Sequence, residues 1–396
     1  ESLQPPIRRR TVSEVTRDLN IDPIDITNME VGVSDRAAIF RLNDGPPDEN
    51  GDPIGYDTGQ VTQKAYPVPR LGNNRIRYID LKYQFLSPAD VDFPWKTVKT
   101  DGDNAEGIRL GSRKATDSLF IGAATVPRGL NLSEIDRTFH TTRTRAAAIS
   151  ATQLIIMRAA LALDVAPEEF EILEPRVRDG KPLLQIADML VNGSGFARRL
   201  GARTADGTTL VSDLIRSMTG SPSDDPLIGQ FLDEGHRKTC SQACYRCMQR
   251  YGNRGYHGLL DWRLGLGYLR CFVDGDYRSG LDMRWEHFVE LRDWPEIAYR
   301  AAEEIARLRP SRTTVETTGP ANLPLVRYDG NGGTETYVIV HPLWRLEDDA
   351  IRSEAVFAEI ARQKVRFINT FDALRRPMAS MENAFPELQE QERTNE

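Results

Sequence analysis

Apolar and polar positions in the first hundred residues fall into short alternating runs. Arg36 to Leu42 (RAAIFRL) and Arg75 to Leu81 (RIRYIDL) each predict a half-buried strand. Residues 43 to 59 between them are dense in Gly, Pro, Asn and Asp and predict an exposed loop. Asp117 to Thr125 predicts a strand, and Thr142 to Asp164 a long helix rich in Ala, Leu and Met, with Arg143, Arg145 and Arg158 as its charges. Pro167 restarts the chain with a preset first turn. Phe170 to Arg176 and Lys181 to Ala187 predict a strand pair about an Asp179-Gly180 turn. The run Asn192-Gly193-Ser194-Gly195 then enters a helix from Phe196, either as a plain tight turn or as an anion-accepting N-terminus. Further on, Leu259 to Phe272 predicts an amphipathic helix, and Glu286 to Leu308 one or two more, interrupted at Trp294-Pro295. Thr336 to Val340 predicts a strand, Glu354 to Val365 a helix, Val365 to Asn369 a last strand, and the acidic segment from Glu382 a frayed tail.

These elements predict a mixed α+β, multidomain chain: a β-rich N-terminal region (1–107), a central α/β module (108–275), a C-terminal α/β region (276–380) and a polar tail (381–396). At 396 residues, 40% hydrophobic and 28% charged, the composition suits two or three globular domains. No uninterrupted apolar run reaches the roughly 18 residues that span a bilayer, and the start, Glu1-Ser2-Leu3-Gln4, has no signal-peptide pattern. It also lacks an initiator Met, as in a processed or truncated chain. Four cysteines, three of them within eight positions, predict a reducing cytoplasm and no disulfide scaffold.

Those three cysteines carry the candidate chemistry. Cys244 and Cys247 have the two-residue gap that turns a pair of thiolates onto one tetrahedral zinc ion, and Cys240 lies one turn earlier. A closed site needs a fourth donor. His257, returned by the turn-prone Gly252-Asn253-Arg254-Gly255, is the first choice. His236 and Cys271 are the alternatives. One straight helix from His236 to Cys247 would spread its donors over roughly 16 Å, so His236 can serve only if the helix breaks, near Cys244. Cys271 sits in an apolar helix, where a cysteine is more often a small core residue.

Net charge is −7, yet every charged residue between His236 and Leu260, histidines apart, is basic. Arg237, Lys238, Arg246, Arg250 and Arg254 alternate there with Tyr245, Tyr251 and Tyr256, a composition suited to phosphate contact and base stacking. No phosphate-binding loop, H-E-x-x-H or G-x-S-x-G occurs, so no nucleotide-driven motor and no catalytic residue is expected. His341, with Glu347, Asp348 and Asp349 after it, is the place where a nuclease-like alternative would have to reside; a purely protein-binding scaffold is a third reading.

From Cys240 to Leu264 the text C-x3-C-Y-R-C-M-x-x-Y-x-N-x-x-x-H-x-L-L-D-W-R-L resembles the DrmB family of the DISARM antiphage systems. That family carries the zinc-binding module also found at the C-terminus of MrfA-type DNA-repair helicases. Ala146 to Asp164, Pro167 to Phe170 and the Gly193-Ser194-Gly195 turn agree in order, so the resemblance covers roughly residues 108 to 272. MrfA-type modules use four cysteines, often opening C-x-C; here Lys238 stands two positions before Cys240. The resemblance implies a non-catalytic zinc protein that partners a DrmA-like helicase subunit and helps it load on DNA.

Overall fold

The computed structural model describes residues 21–43 and 109–384, apart from 137, 331–332, 347–350, 352–353, 359 and 361–363, together with the strands at 9–13 and 77–79. The loop expected at 43–59 and the tail from 385 lie outside the described residues.

Eight strands form the first sheet: β1 (Arg9–Ser13), β2 (Asp22–Pro23), β3 (Met29–Asn43), β4 (Arg77–Ile79), β5 (Arg109–Ala123), β6 (Phe170–Ile172), β7 (Arg176–Arg178) and β8 (Lys181–Asp188). Its main order is β1-β3-β5-β8-β6, with β2, β4 and β7 pairing β3, β5 and β8. The long pair β3–β5 runs antiparallel from Met29↔Ala123 to Asn43↔Leu110, with a register shift between Ser34 and Ala37. Hydrogen bonding therefore crosses the boundary placed near residue 107. Pro175 divides the segment read as one strand into β6 and β7. The β7–β8 hairpin turns at Asp179 and Gly180, both at positive φ (51° and 76°), as the Asp-Gly pair predicts.

The helix α1 (Thr142–Leu163) leaves the sheet as the sequence predicts. Among the described residues it is long and apolar enough to cross a membrane, but 83% of that apolar window is buried within the protein. Its outliers are paired, Arg145 to Glu174 and Arg158 to Asp225. After β8 come α2 (Phe196–Gly201), α3 (Leu210–Gly220), α4 (Ile228–Phe231), α5 (Glu234–Thr239) and α6 (Trp262–Val273). The possible anion site at the start of α2 is filled from within: the Asp188 carboxylate accepts hydrogen bonds from the backbone of Ser194, Phe196 and Ala197. Gly193 (φ 80°) lies so close to Asp117 that a Cβ would stand 2.4 Å from its carboxylate.

The helix α6 packs across α1 at a close approach permitted by Gly265, whose position faces the backbone of Ser150. Then follow α7 (Trp294–Arg307), which begins at the predicted Trp294-Pro295 break, and a second sheet: β9 (Thr313–Thr318), β10 (Leu323–Gly330), β11 (Gly333–Val340) and β12 (Arg366–Asn369). Its order is β12-β11-β10-β9, with only β11–β12 parallel. Between β11 and β12, where a helix is expected from Glu354, the described residues hold short 3-10 turns such as Ala355–Phe357 and no α-helix. Two short helices, α8 (Thr370–Arg375) and α9 (Pro377–Glu382), close the described chain. One apolar cluster extends from Ile24 to Ala384, joining both sheets and the helices between them.

Candidate metal centre

Local chemistry sets each turn of the cysteine segment. Asp233 caps α5 by accepting the His236 N–H, which starts a helix of six residues. The helix stops where Cys240 turns extended (φ −104°, ψ 95°), so the break that His236 needs comes at Cys240, earlier than Cys244. From there the chain bends into a tight turn, with the N–H of Cys247 and of Gln249 both donating to the Cys244 carbonyl. The Cys244 N–H donates to the Cys247 sulfur at 3.1 Å. Arg263 holds the segment from behind: it donates to the Cys240 carbonyl and to Asp293, and Asp293 also pairs with Arg237.

Donor atoms of His236, Cys240, Cys244 and Cys247 consequently lie within 4.8 Å of one another. The Cys240–Cys247 and Cys244–Cys247 sulfurs are 3.9 and 3.8 Å apart. Those spacings are far beyond an S–S bond of about 2.05 Å. They equal the edge of a tetrahedron with metal–sulfur bonds of about 2.3 Å, roughly 3.8 Å. The imidazole supplies an independent test. His236 Nδ1 is 2.8 Å from the Phe231 carbonyl, so Nδ1 carries the proton and Nε2 a lone pair. Nε2 is buried and has no hydrogen-bond partner, the condition of an atom that awaits a cation. Cys247, drawn down chiefly by the hydrogen bond from Cys240, is the sulfur disposed to be a thiolate; that same bond, and then burial, push Cys240 up. Among the described residues, no other group of His, Cys, Asp or Glu has donor atoms close enough to hold an ion.

The fourth donor is therefore placed differently from the first sequence choice. His257 Nε2 meets the Arg250 carbonyl at 2.9 Å and Asn253 Oδ1 at 3.0 Å, and its ring meets Tyr245 edge-on; it braces the loop and stands outside the cluster. Cys271 lies within α6, fully buried, its thiol pointing to the Gly267 carbonyl and pushed up by burial. His236 was legible only as an alternative, because its use depends on where a helix ends. Phe231, whose carbonyl orients it, carries no sequence signal at all.

The basic residues separate into two groups. Arg237 is engaged by Asp293, Lys238 pairs with Glu234, and Arg246 lies 3.7 Å from Asp233. Arg250 and Arg254 are exposed, with no carboxylate partner among the described residues. Arg254 stacks over the exposed Tyr251 ring at 5.1 Å. Tyr245 and Tyr251 are 76% and 82% exposed, whereas Tyr256 packs against the core. His341 is buried among Trp294 and Trp344, its Nδ1 facing the Ser279 hydroxyl and the Leu343 N–H. Glu347, Asp348 and Asp349 lie outside the described residues.

Neither a family model nor a curated protein matches the chain. Among solved structures it is similar to the DUF1998 helicase MrfA bound to DNA, at 11% identity and a TM-score of 0.31. The match covers 67% of this chain, which spans 25% of that one. A likeness this distant settles neither fold nor activity.

Proposed function

We propose that the chain is a non-catalytic zinc protein that partners a DNA helicase of the DrmA kind in bacterial antiphage defence, working in the cytoplasm and assisting contact with DNA. The observation that carries the proposal is the closed donor set: one imidazole and three sulfurs complete a tetrahedron. That leaves no position for water or substrate, the form of structural rather than catalytic zinc. His236, Cys240, Cys244 and Cys247 would hold the ion, which supplies folding energy to a segment with little regular structure of its own. The same segment carries the DrmB-like text and displays Arg246, Arg250, Arg254, Tyr245 and Tyr251 outward, a face suited to phosphates and bases.

Co-expression with a DrmA-like helicase from the same genome tests the reading. Stable co-purification, abolished together with zinc in Cys247→Ser, is expected. A zinc-replete chain that stays apart from the helicase, or one that cleaves DNA with Mg²⁺ and stops on His341→Ala, would contradict it.

A further inference from the structure

Beside the cysteine turn lies a cleft of about 330 Å³, framed by Gln153 and Ile156 of α1, Glu168 and Phe170 after it, and Arg250 and Tyr256 of the knuckle. That volume suits a small ligand or one unit of a polymer. Pro167 and Arg250 also line a second cleft of about 170 Å³ that reaches Cys247. Gln153 is the unusual residue. It lies in the middle of the core helix, is only 4% exposed, and its amide makes no hydrogen bond to any described residue. The sealed side-chain atoms that lack a hydrogen-bond partner do not include this amide, so it is open to the cleft, where water or a ligand completes it.

We propose that this cleft binds a nucleotide unit, a planar base with its phosphate. The inference deepens the DNA-contacting part of the proposed function and rests on it. A primary amide offers one donor and one acceptor side by side, which matches the hydrogen-bonding edge of a base. The exposed Glu168 carboxylate at the mouth accepts from an exocyclic amine, and Phe170, Ile156 and Tyr256 give the base an apolar seat. Arg250, exposed at the same mouth, meets the phosphate. Arg254 and the exposed Tyr251 continue the same basic and aromatic surface, as a strand running out of the cleft requires.

The test measures binding of the full, zinc-loaded chain to a short labelled single-stranded DNA and to the same strand without bases. The base-bearing strand is expected to bind about tenfold or more tightly. Gln153→Leu, near in volume, should reduce it to the level of the baseless strand and leave the latter unchanged. Because the amide it removes bonds to no described residue and Leu is near in volume, the same variant should keep its unfolding midpoint, so weakened binding is not a failure to fold. Competition by a deoxynucleoside monophosphate would identify a free nucleotide as the ligand; no competition, with the strand effects intact, identifies a strand. Wild-type binding of both strands by Gln153→Leu, or no binding of any probe, overturns the inference. Neither result bears on co-purification with the helicase, so the two readings fail separately.

Discussion

His236 is set up as a candidate metal donor by a carbonyl rather than by another side chain. The Phe231 oxygen takes the Nδ1 proton and leaves Nε2 facing three sulfurs, so the imidazole is oriented before any ion arrives. His257 and Cys271 are occupied elsewhere, and His257→Ala and Cys271→Ser should each retain a full equivalent of zinc by elemental analysis. His341 illustrates the opposite use of a histidine. Burial lowers its pKa from 6.5 to about 3, which keeps the folded ring neutral. Above pH 6.5 it is neutral in both states and adds no pH dependence. Below that the unfolded chain takes up a proton that the folded chain refuses. Stability should therefore fall by about 1 kcal/mol per pH unit from 6.5 down towards 3. His341→Asn, which keeps an acceptor for the Leu343 N–H, should flatten that part of a stability–pH profile measured by denaturant unfolding. An unchanged slope would mean that the ring titrates normally.

Among elements, the packing of α1 on α6 positions the knuckle, since α6 begins at Trp262 and Arg263 just beyond it. Gly265 permits that approach: a Cβ there would stand 2.8 Å from Ser150. Gly265→Ala brings two opposed effects, a helix-propensity gain of about 1 kcal/mol and an overpacking cost of roughly 1–3 kcal/mol against rigid backbone. The second should win. We expect a net loss of about 1 kcal/mol in denaturant unfolding, where a gain would show that the helices separate freely. Periodicity made α1, α6, β5, β11 and the Asp179-Gly180 hairpin legible in the sequence, because each rests on local pattern and turn chemistry. It could not show that β3 pairs with β5 across more than sixty intervening positions, since the partner of a strand leaves no mark in its own text. Nor could spacing choose between His236 and His257: that choice turns on φ and ψ at Cys240, where the helix from Asp233 gives way to extended chain.

For the whole molecule, a net charge of −7 and a local basic face are compatible because counterion release depends on the patch that meets the phosphates. Arg237 is held in the interior network by Asp293 and should add little to DNA affinity. Arg246→Gln, Arg250→Gln and Arg254→Gln combined should weaken DNA binding by the assembled complex while zinc is retained. For every phosphate that an arginine no longer neutralises, the slope of log affinity against log salt should drop by about 0.9 for duplex DNA. An unchanged slope would assign this face to the protein partner. All of this depends on the proposed ion at the knuckle. X-ray absorption at the zinc edge of freshly purified chain tests that ion most directly. The account predicts one zinc per chain with three sulfurs at about 2.3 Å and one nitrogen at about 2.0 Å, the nitrogen disappearing in His236→Ala. A four-sulfur shell, a nitrogen that disappears in His257→Ala instead, or less than about half an equivalent of zinc would contradict it.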